Sequence, residues 1–395
     1  MKNVLLVTTK YHKDVSSPWL TNELALEMKS RNLKVTVVAL SWNVIDPESS
    51  QDIESGIKVH RIKLHKIFYK QHKIFTLIKT AAFPISAAYN IFKMRKEIKP
   101  DLVIFNTPCI TILGLSFLCK KLFSSKNTLV LWDFFPFYLK DLGLMKGRLR
   151  FNFFKWLENK MYSSFDSIGC MSTGNKKFLL DNFDNIEPSK VYNLPIWASK
   201  RNEKLIKNKG VMEKYGLNSE VVTFIYGGAM SPVQNLDVLI DLAKRMDDSQ
   251  FVFIGQGTEK ERLISISSHL ENVYFLDAVP RNEYEQLVAA CDIGLVCLSP
   301  NLVVPSFPSK TLDYLRSSTP ILAALDRGTD YGIYLENEIK AGLFSYSDDI
   351  DTLECKARQL VKSKQERLDM GVRGAMFFDN YFTVQNAAKY ILDAN

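Results

Sequence analysis

Three consecutive polar residues, Ser309, Lys310 and Thr311, stand where the sequence predicts the start of a helix. Prolines break the chain just before them, and Leu312 and Leu315 follow at helical spacing. A helix N-terminus presents unpaired N–H groups and the positive end of a dipole, which attract phosphates above all. A lysine there costs about 0.3–1 kcal/mol unless an anion offsets its charge. We therefore expect an anion site with Ser309 as the N-cap; an exposed lysine without a ligand is the alternative.

Further candidate ligand groups in the second half each follow an apolar run that is typical of a buried strand. They are Gly227-Gly228 after Val221–Tyr226, Gly255-Gln256-Gly257 after Phe251–Ile254, Ala278-Val279-Pro280 after Val273–Leu276, and the stretch 299–309 after Ile293–Leu298. Parallel strands bind ligands beyond their carboxyl ends, so these groups are expected to lie together. Glycines there allow the backbone to approach a ligand, although each pair can also be only a turn.

Strand-length apolar runs alternate with runs of helical spacing along the whole chain of 395 residues. This alternation predicts parallel sheets covered by helices on both faces. A break rich in Lys, Asn and Glu at 199–214 interrupts it, and the chain is longer than a single core usually supports. The expected fold class is therefore α/β, with two doubly wound, Rossmann-like domains and a ligand in the cleft between them.

The cysteines and apolar runs indicate an intracellular protein. Six cysteines show neither metal-ligand spacing nor the density of a disulfide scaffold, and we expect them to be reduced core residues (Cys109, Cys119, Cys170, Cys291, Cys297 and Cys355). The N-terminal apolar run is too short for a signal peptide. The longest run, 102–119, is interrupted by Asn106-Thr107-Pro108. No transmembrane helix is therefore expected.

The net charge of +8 is concentrated between Lys58 and Lys99. This segment holds eleven Lys and Arg against one acid, Glu97. Bulky apolar residues lie between these cations, which is typical of a segment that contacts an anionic membrane. A nucleic-acid partner is not expected, because no recognisable DNA- or RNA-binding motif surrounds the aromatics. A solvated basic face over an ordinary core helix is the alternative.

The order of motifs over residues 220–330 resembles the nucleotide-sugar half of a GT-B glycosyltransferase of family 4, a large retaining family. The matching pieces are FIYGGAMSPVQNLDVLIDLAKRM, FVFIGQGTEKERL, NVYFLDAVPRNEYEQLVAACDIGLVCL and VPSFPSKTLDYLRSSTPILAAL. The first half is similar through VLLVTTKYHKDVSSPWLTNELALEMKSRNLKVTVV, LVLWDFFP and SIGCMSTGNKKFLL. The resemblance implies an acceptor-binding domain at 1–197, a nucleotide-sugar domain at 198–375, and a final helix within 376–395 that returns to the first domain.

The resemblance also implies roles for single residues. Aligning Phe307 with its usual counterpart puts the second of the family's two acids, which binds the ribose, at Asp313; the first falls on Pro305. Gln234 stands where many members have a lysine facing the diphosphate, beside Gly228. Backbone around Val279 would hold the base. Ser16-Ser17 replace a double glycine and could offer hydroxyls to the acceptor or the diphosphate.

Asp133 follows the predicted strand Thr128–Trp132 and is a candidate for orienting the acceptor or accepting its proton. An aspartate that caps a helix in a loop is the alternative. No metal and no cofactor are expected.

The implied reaction is sugar transfer from a nucleoside diphosphate, expected to be UDP, with retained anomeric configuration and an oxocarbenium-like transition state. Lys310 and the backbone of Ser309 and Thr311 would stabilise the departing diphosphate. The departures from the family pattern at Pro305, Gln234 and Ser16-Ser17 suggest the branch of family 4 that builds bacterial surface polysaccharides such as O-antigen or capsule. We therefore expect an N-acetylated or amino sugar and a polyprenyl-diphosphate-linked glycan acceptor. The enzyme would lie in the cytoplasm, against the inner face of the plasma membrane.

Two other functions stay open from the sequence. A nucleotide-sugar epimerase can use the same fold, since a fold does not determine chemistry. A non-catalytic partner subunit is the second alternative, and the residues found at Pro305 and Gln234 favour it.

Overall fold

Two sheets form in the computed structural model, which describes residues 2–13, 18–70, 72–107, 109–201 and 208–395. Contacts divide the chain into one unit made of Met1–Ser199 with Val384–Asn395 and a second unit made of Lys200–Thr383. The domain boundaries expected from the sequence were 197/198 and 375/376. Residues 376–383 stay with the second unit because most of them complete a helix that packs there.

The sheet of the first unit has eight strands in the order β3-β4-β2-β1-β5-β6-β7-β8. All neighbours are parallel except the β3–β4 hairpin. The strands are β1 Asn3–Thr8, β2 Lys34–Leu40, β3 Ser50–Glu54, β4 Ile57–Ile62, β5 Leu102–Asn106, β6 Lys126–Leu131, β7 Ser167–Cys170 and β8 Val191–Asn193. Six of them overlap strand-length apolar runs of the sequence. The other two, β3 and β8, were not predicted, because β3 has half-exposed side chains that give no apolar run and β8 is only three residues long.

Helices cover this sheet. They are α1 Leu20–Ser30, α2 Lys73–Ile98, α3 Leu115–Phe123, α4 Phe137–Asp141, α5 Arg148–Tyr162 and α6 Thr173–Asn182, with 3-10 turns at Lys66–Tyr69, Cys109–Ile112 and Pro188–Lys190. Pro84 lies inside α2, and the helix is not interrupted there. Buried Phe83, Ala87 and Ile91 lie on one face of α2, and their packing holds the helix together across the proline.

The sheet of the second unit has six parallel strands in the order β11-β10-β9-β12-β13-β14. The strands are β9 Thr223–Gly227, β10 Gln250–Ile254, β11 Val273–Leu276, β12 Ile293–Cys297, β13 Ile321–Leu325 and β14 Gly342–Tyr346. The helices are α7 Lys209–Lys214, α8 Asp237–Arg245, α9 Lys260–Ser267, α10 Arg281–Ala290, α11 Lys310–Arg316, α12 Tyr331–Ile333, α13 Ile350–Lys362 and α14 Lys364–Tyr381. A 3-10 turn spans Pro232–Gln234, and a π-helix spans Tyr334–Ile339.

The last helix, α15 Val384–Asp393, packs in the first unit. Its buried residues Val384, Ala387 and Ile391 join the core formed by β1, β2 and α1. The central strands of both sheets are buried along nearly their whole length. This is why they read as continuous apolar runs in the sequence.

Candidate functional site

The ammonium group of Lys310 lies among neutral groups beyond the carboxyl ends of β9 and β12. Its Nζ donates a hydrogen bond of 3.0 Å to Gln234 Oε1 and lies 4.1 Å from the centroid of the Tyr226 ring. No carboxylate pairs with it within the described part of the chain. Burial lowers the pKa of Lys310 to about 8. Lys310 is therefore half-buried and hydrogen-bonded, whereas the alternative interpretation of the sequence was an exposed lysine without a ligand. Its positive charge is not neutralised.

Two neighbours hold this side chain. Tyr226, the fourth residue of β9, is fully buried, and its hydroxyl donates a 2.7 Å hydrogen bond to the carbonyl of Ala229. Gln234 ends a 3-10 turn, and the left-handed residue Asn235 then leads the chain into α8. Because Gln234 Oε1 accepts from Lys310, its amide nitrogen is oriented as a donor. The pair thus presents one ammonium and one amide donor.

Gly228 borders the lysine from the loop after β9. Its φ of +135° disfavours any residue with a side chain, and a Cβ there would lie 3.6 Å from Lys310 Cε. The next loop supports this one directly: a Cβ on Gly255 would lie 2.1 Å from the carbonyl oxygen of Gly228. The sequence predicted that these glycines approach a ligand. For Gly255 the close approach is to neighbouring backbone instead.

The helix starts where the sequence predicts, but its capping differs. Ser309 is the N-cap residue of α11, as expected, yet its side chain makes no capping hydrogen bond. The Thr311 amide, expected to be free for a phosphate, donates to the carbonyl of Pro308 at 3.1 Å. The Thr311 hydroxyl is 2.7 Å from the buried hydroxyl of Tyr331. Thr311 therefore anchors the start of the helix in the core, and Ser309 remains exposed beside Lys310.

The loop before α11 is held by Phe307. Its ring is buried and packs edge-on against Tyr331, at 5.1 Å between centroids, and against Phe382 at 5.5 Å. Phe307 therefore acts on the site by fixing the loop that leads to Lys310. Pro305, which occupies the position of the first acid in the expected pair, is buried in the same loop.

Asp313 lies one turn beyond Lys310 in α11, within a cluster of opposite charges. Its carboxylate accepts hydrogen bonds from both terminal nitrogens of Arg281 and from Arg316 at 3.1 Å. Glu285 bridges the same two arginines, at 2.8 Å and 2.6 Å. A ribose that binds Asp313 must therefore share the carboxylate with Arg281.

Val279 follows β11 and is half-buried, one residue before Pro280 at the N-terminus of α10. This position puts its backbone beside the helix that carries Arg281 and Glu285. Nearby, Lys260 from α9 pairs with Asp277 at 2.6 Å. That ion pair neutralises the lysine, so Lys260 does not add to the charge of Lys310.

In the first unit, Asp133 follows β6 and its side chain is exposed. Its N–H donates to Thr107 Oγ1 at 3.2 Å, and it caps no helix, since Pro136 precedes α4. The helix-cap alternative is thus wrong for this residue. Ser16 and Ser17 lie outside the described residues.

A cavity of about 360 Å³ opens in the first unit beyond the ends of β1 and β2. Its charged and ionisable lining residues include Lys10, His12, Lys13, Asp46 and Arg61. Arg61 is buried and paired with Glu54 at 2.7 Å, and it also donates to the Tyr11 carbonyl. Arg61 is already neutralised and Lys13 lies 3.9 Å from Asp52, so Lys10 provides the available positive charge. Asp133 is not among the lining residues.

The basic segment 58–99 is less basic at the surface than in the sequence. Arg61 and Lys79 are buried, and Lys63 pairs with Glu48 at 2.8 Å. Lys58 pairs with Glu97. Among the side chains that the structure describes, the exposed cations of the segment are Lys66, Lys70, Lys93, Lys96 and Lys99. Large apolar side chains of α2 share this exposed surface, namely Ile78, Ile85, Tyr89 and Phe92.

No disulfide bond links the five cysteines whose side chains are described, and Cys119, Cys170, Cys291 and Cys297 are buried. The side chain of Cys109 lies outside the described part of the structure. Cys355 was expected in the core but is exposed, because α13 turns it to solvent between the buried residues Leu353 and Ala357. Within the described residues, no group of three or more His, Cys, Asp or Glu side chains could hold a metal ion. No described helix combines the length and the hydropathy that a membrane span requires.

Solved structures resemble the whole chain. Sucrose-phosphate synthase from Thermosynechococcus elongatus matches with a TM-score of 0.74 and 12% identity, over 99% of this chain and 98% of that chain. HepE from Anabaena, solved in complex with UDP, matches with a TM-score of 0.67 and 12% identity, over 100% and 99%. At these identities the likeness concerns the fold. Together with the two parallel sheets, it defines the GT-B fold.

Sequence comparison finds a family for part of the second unit. Residues 208–375 match the family described as Glycosyl transferases group 1. This is the retaining glycosyltransferase family 4 that the sequence motifs resemble. The probable glycosyltransferase WbjE of Pseudomonas aeruginosa is 22% identical over 246 residues, and the match covers 58% of each protein.

Sequence reasoning missed Tyr226 and Arg281 as parts of the site. Tyr226 was taken only as the end of a strand, although it directly precedes Gly227-Gly228 and so lies at the ligand edge of the sheet. Arg281 follows Val279-Pro280, and an arginine at the first position of a helix beside a predicted ligand group was the available signal.

Proposed function

We propose that the protein is a retaining glycosyltransferase that moves a sugar from a UDP-sugar to a glycan acceptor. The ammonium of Lys310 is the observation that supports this most strongly. It is half-buried, its pKa is lowered to about 8, and within the described residues no carboxylate neutralises it. A cation held in this way is suited to a multiply charged anion such as a diphosphate. The UDP in the HepE structure supports UDP as the nucleotide.

Lys310 is proposed to stabilise the charge that develops on the diphosphate as the bond to the sugar breaks. The amide of Gln234 adds a neutral donor beside it. A preorganised donor at such a position typically lowers the barrier by about 2.7–4 kcal/mol. Many members of the family have a lysine at position 234, where this chain has glutamine. We propose that Lys310, which reaches Gln234 from α11, takes the role of that lysine.

The remaining donor contacts follow from the neighbouring residues. Asp313 is proposed to accept hydrogen bonds from the ribose hydroxyls while it keeps part of its contact with Arg281. Backbone around Val279 would hold the base. Gly228 would let the diphosphate approach the backbone after β9, and exposed Ser309 would supply a further donor.

For the acceptor, we propose a glycan carried on a polyprenyl diphosphate. The cavity bordered by Lys10 suits an anionic group of that acceptor. Asp133, exposed in the same unit, is the proposed base for the acceptor hydroxyl. Contact of the exposed cations in 58–99 with an anionic membrane would keep the enzyme at the inner face of the plasma membrane.

A role in bacterial surface polysaccharide synthesis, with an N-acetylated or amino sugar, is the most specific form of the proposal. The likeness to the probable glycosyltransferase WbjE supports it only partly, because that match covers 58% of the relative. The motif around Pro305, Phe307, Pro308 and Lys310 supports the amino-sugar branch.

A donor screen tests the proposal. The protein is incubated with a panel of UDP-sugars, with and without a polyprenyl-diphosphate glycan, and the products are analysed by mass spectrometry and NMR. Transfer with retained anomeric configuration supports the proposal. An epimerised donor in the absence of acceptor would identify an epimerase instead, and UDP-sugar binding without any product would identify a non-catalytic subunit.

A further inference from the structure

The outer face of α5 carries large apolar side chains in open solvent. Leu149, Phe153 and Trp156 lie at helical spacing on this face and are 86%, 55% and 54% exposed. Leu144, just before the helix, is 70% exposed. Trp and Phe at such exposure are costly in water and are typical of a surface that contacts something apolar.

These side chains are not needed to hold α5 in place. The inner face of the helix carries its own aromatic contacts, with Phe151 against Phe137 at 5.0 Å and Phe154 against Phe135 at 5.3 Å. Met161 and Tyr162 at its end are buried. The inner face of α5 therefore anchors the helix. Because the outer face is not needed for this packing, the exposed apolar row formed by Leu149, Phe153 and Trp156 has no structural role within the first unit.

Cations surround the exposed apolar row. Between residues 144 and 160 the exposed charged side chains are all basic (Lys146, Arg148, Arg150 and Lys160). The one acid of the stretch, Glu158, is buried on the inner side. The outer face of α5 thus combines Leu, Phe and Trp with Lys and Arg alone.

We propose that the outer face of α5 docks on an anionic lipid bilayer, with Leu149, Phe153 and Trp156 entering the interface between headgroups and acyl chains. An amphipathic helix with Trp, Phe and Leu on one side and Lys and Arg beside them lies in the plane of such an interface. Anionic headgroups complement the charge of this face. They therefore favour a lipid bilayer as its partner over a protein surface with few acidic residues. This surface is separate in sequence from 58–99 and extends the membrane association proposed above.

Vesicle binding tests the proposal without donor or acceptor, so its outcome is separate from that of sugar transfer. The full-length protein is sedimented with vesicles of phosphatidylglycerol and phosphatidylcholine, and a variant carrying Leu149→Ser, Phe153→Ser and Trp156→Ser is compared. We expect its partition coefficient to fall at least tenfold. A control variant on α14, with Leu368→Ser, Val372→Ser and Met376→Ser, removes three apolar side chains that are 47%, 52% and 61% exposed, and it is expected to bind as the wild type does.

Tryptophan fluorescence locates the contact. Trp156 is one of five tryptophans, and the difference between the spectra of wild type and Trp156→Phe isolates its emission. We expect this difference spectrum to shift to shorter wavelength when anionic vesicles are added, while Trp156→Phe still binds. Equal binding of the α5 and α14 variants, or an unshifted Trp156 emission on bound protein, would overturn the proposal. The proposal would also be overturned if the wild type did not bind vesicles and instead formed a concentration-dependent dimer that the α5 variant abolishes. The outer face of α5 would then contact a second copy of the chain.

Discussion

Lys310 Nζ lies 3.0 Å from Gln234 Oε1, so a cation from the start of α11 meets an amide from the turn before α8. An amide orients the ammonium through one hydrogen bond and leaves its charge in place. A carboxylate at the same position would neutralise it. Because of this pairing, we regard glutamine at position 234, where many members of the family have lysine, as compatible with the proposed diphosphate site.

Replacing Gln234 by Glu is expected to abolish UDP binding without loss of stability. The new carboxylate pairs with the half-buried ammonium and occupies the place of the diphosphate, while its attraction to Lys310 stabilises the fold. Calorimetric titration with UDP and thermal unfolding measure the two effects. Gln234→Asn, which keeps an amide, is the control, and we expect it to retain binding. UDP affinity in Gln234→Glu close to that of the wild type would contradict the role of Lys310.

UDP affinity is expected to fall as pH rises above about 8, because the pKa of Lys310 is lowered to about 8 and only the charged form attracts the diphosphate. The decline approaches about tenfold per pH unit. Titrations between pH 7 and 10 measure it. In Lys310→Arg the guanidinium stays charged throughout, so the decline should be absent; an identical decline in that variant would assign the pH dependence to another group.

The same titration has the opposite effect on stability. The folded pKa of about 8 lies below the ordinary value of 10.5, so between these values the unfolded chain binds more protons than the folded one. Lys310 therefore contributes a rise in the free energy of unfolding as pH increases across this window. Comparing chemical denaturation of the wild type and Lys310→Met over this range isolates the contribution. An equal slope in both proteins would exclude it.

Asp313→Asn is expected to reduce both stability and the preference for ribose. Losing charged hydrogen bonds to Arg281 and Arg316 lowers the free energy of unfolding by about 1.5–3 kcal/mol. If Asp313 binds the ribose, wild-type protein prefers UDP over 2′-deoxy-UDP and the variant does not. Competition titrations with the two nucleotides measure this. Reduced stability with an unchanged preference would restrict Asp313 to a structural role.

Gly228→Ala is expected to impair the site more than the same substitution at another glycine with positive φ. At φ +135° the alanine is disfavoured by roughly 1–3 kcal/mol, and its methyl group would lie 3.6 Å from Lys310 Cε, inside the space proposed for the diphosphate. Gly216→Ala, at φ +71° with no neighbour within 4 Å, is the matched control. Both variants should melt at lower temperature. Only Gly228→Ala should also lose UDP affinity, and equal affinities would place the diphosphate elsewhere.

Much of the second unit could be predicted from sequence, because its strands are buried on both faces and its ligand groups follow them directly. The strand Val273–Leu276 has the predicted bounds, and helix α11 begins directly after Ser309, where the sequence predicts a helix start. The direction of the Lys310 side chain could not be predicted. It depends on the Tyr226 ring and on Gln234, which are distant in sequence and meet only through the order of β9 and β12 in the sheet.

Charge was the least predictable property. The segment 58–99 has one acid of its own, but Arg61 and Lys63 are paired with Glu54 and Glu48, which precede the segment. The opposite occurred in α5, where Glu158 lowers the apparent charge of the sequence but is buried. A count of charges along the chain does not reveal which of them reach the surface.

The most direct test of the central claim is calorimetric titration of UDP into the wild type, Lys310→Ala and Lys364→Ala. Lys364 is an exposed lysine of α14 in the same unit and serves as the control. We predict that the wild type and the control bind UDP alike, and that Lys310→Ala loses at least about tenfold in affinity, or about 1.4 kcal/mol, with its unfolding temperature retained. Equal affinities in all three proteins would contradict the assignment of Lys310 to the diphosphate.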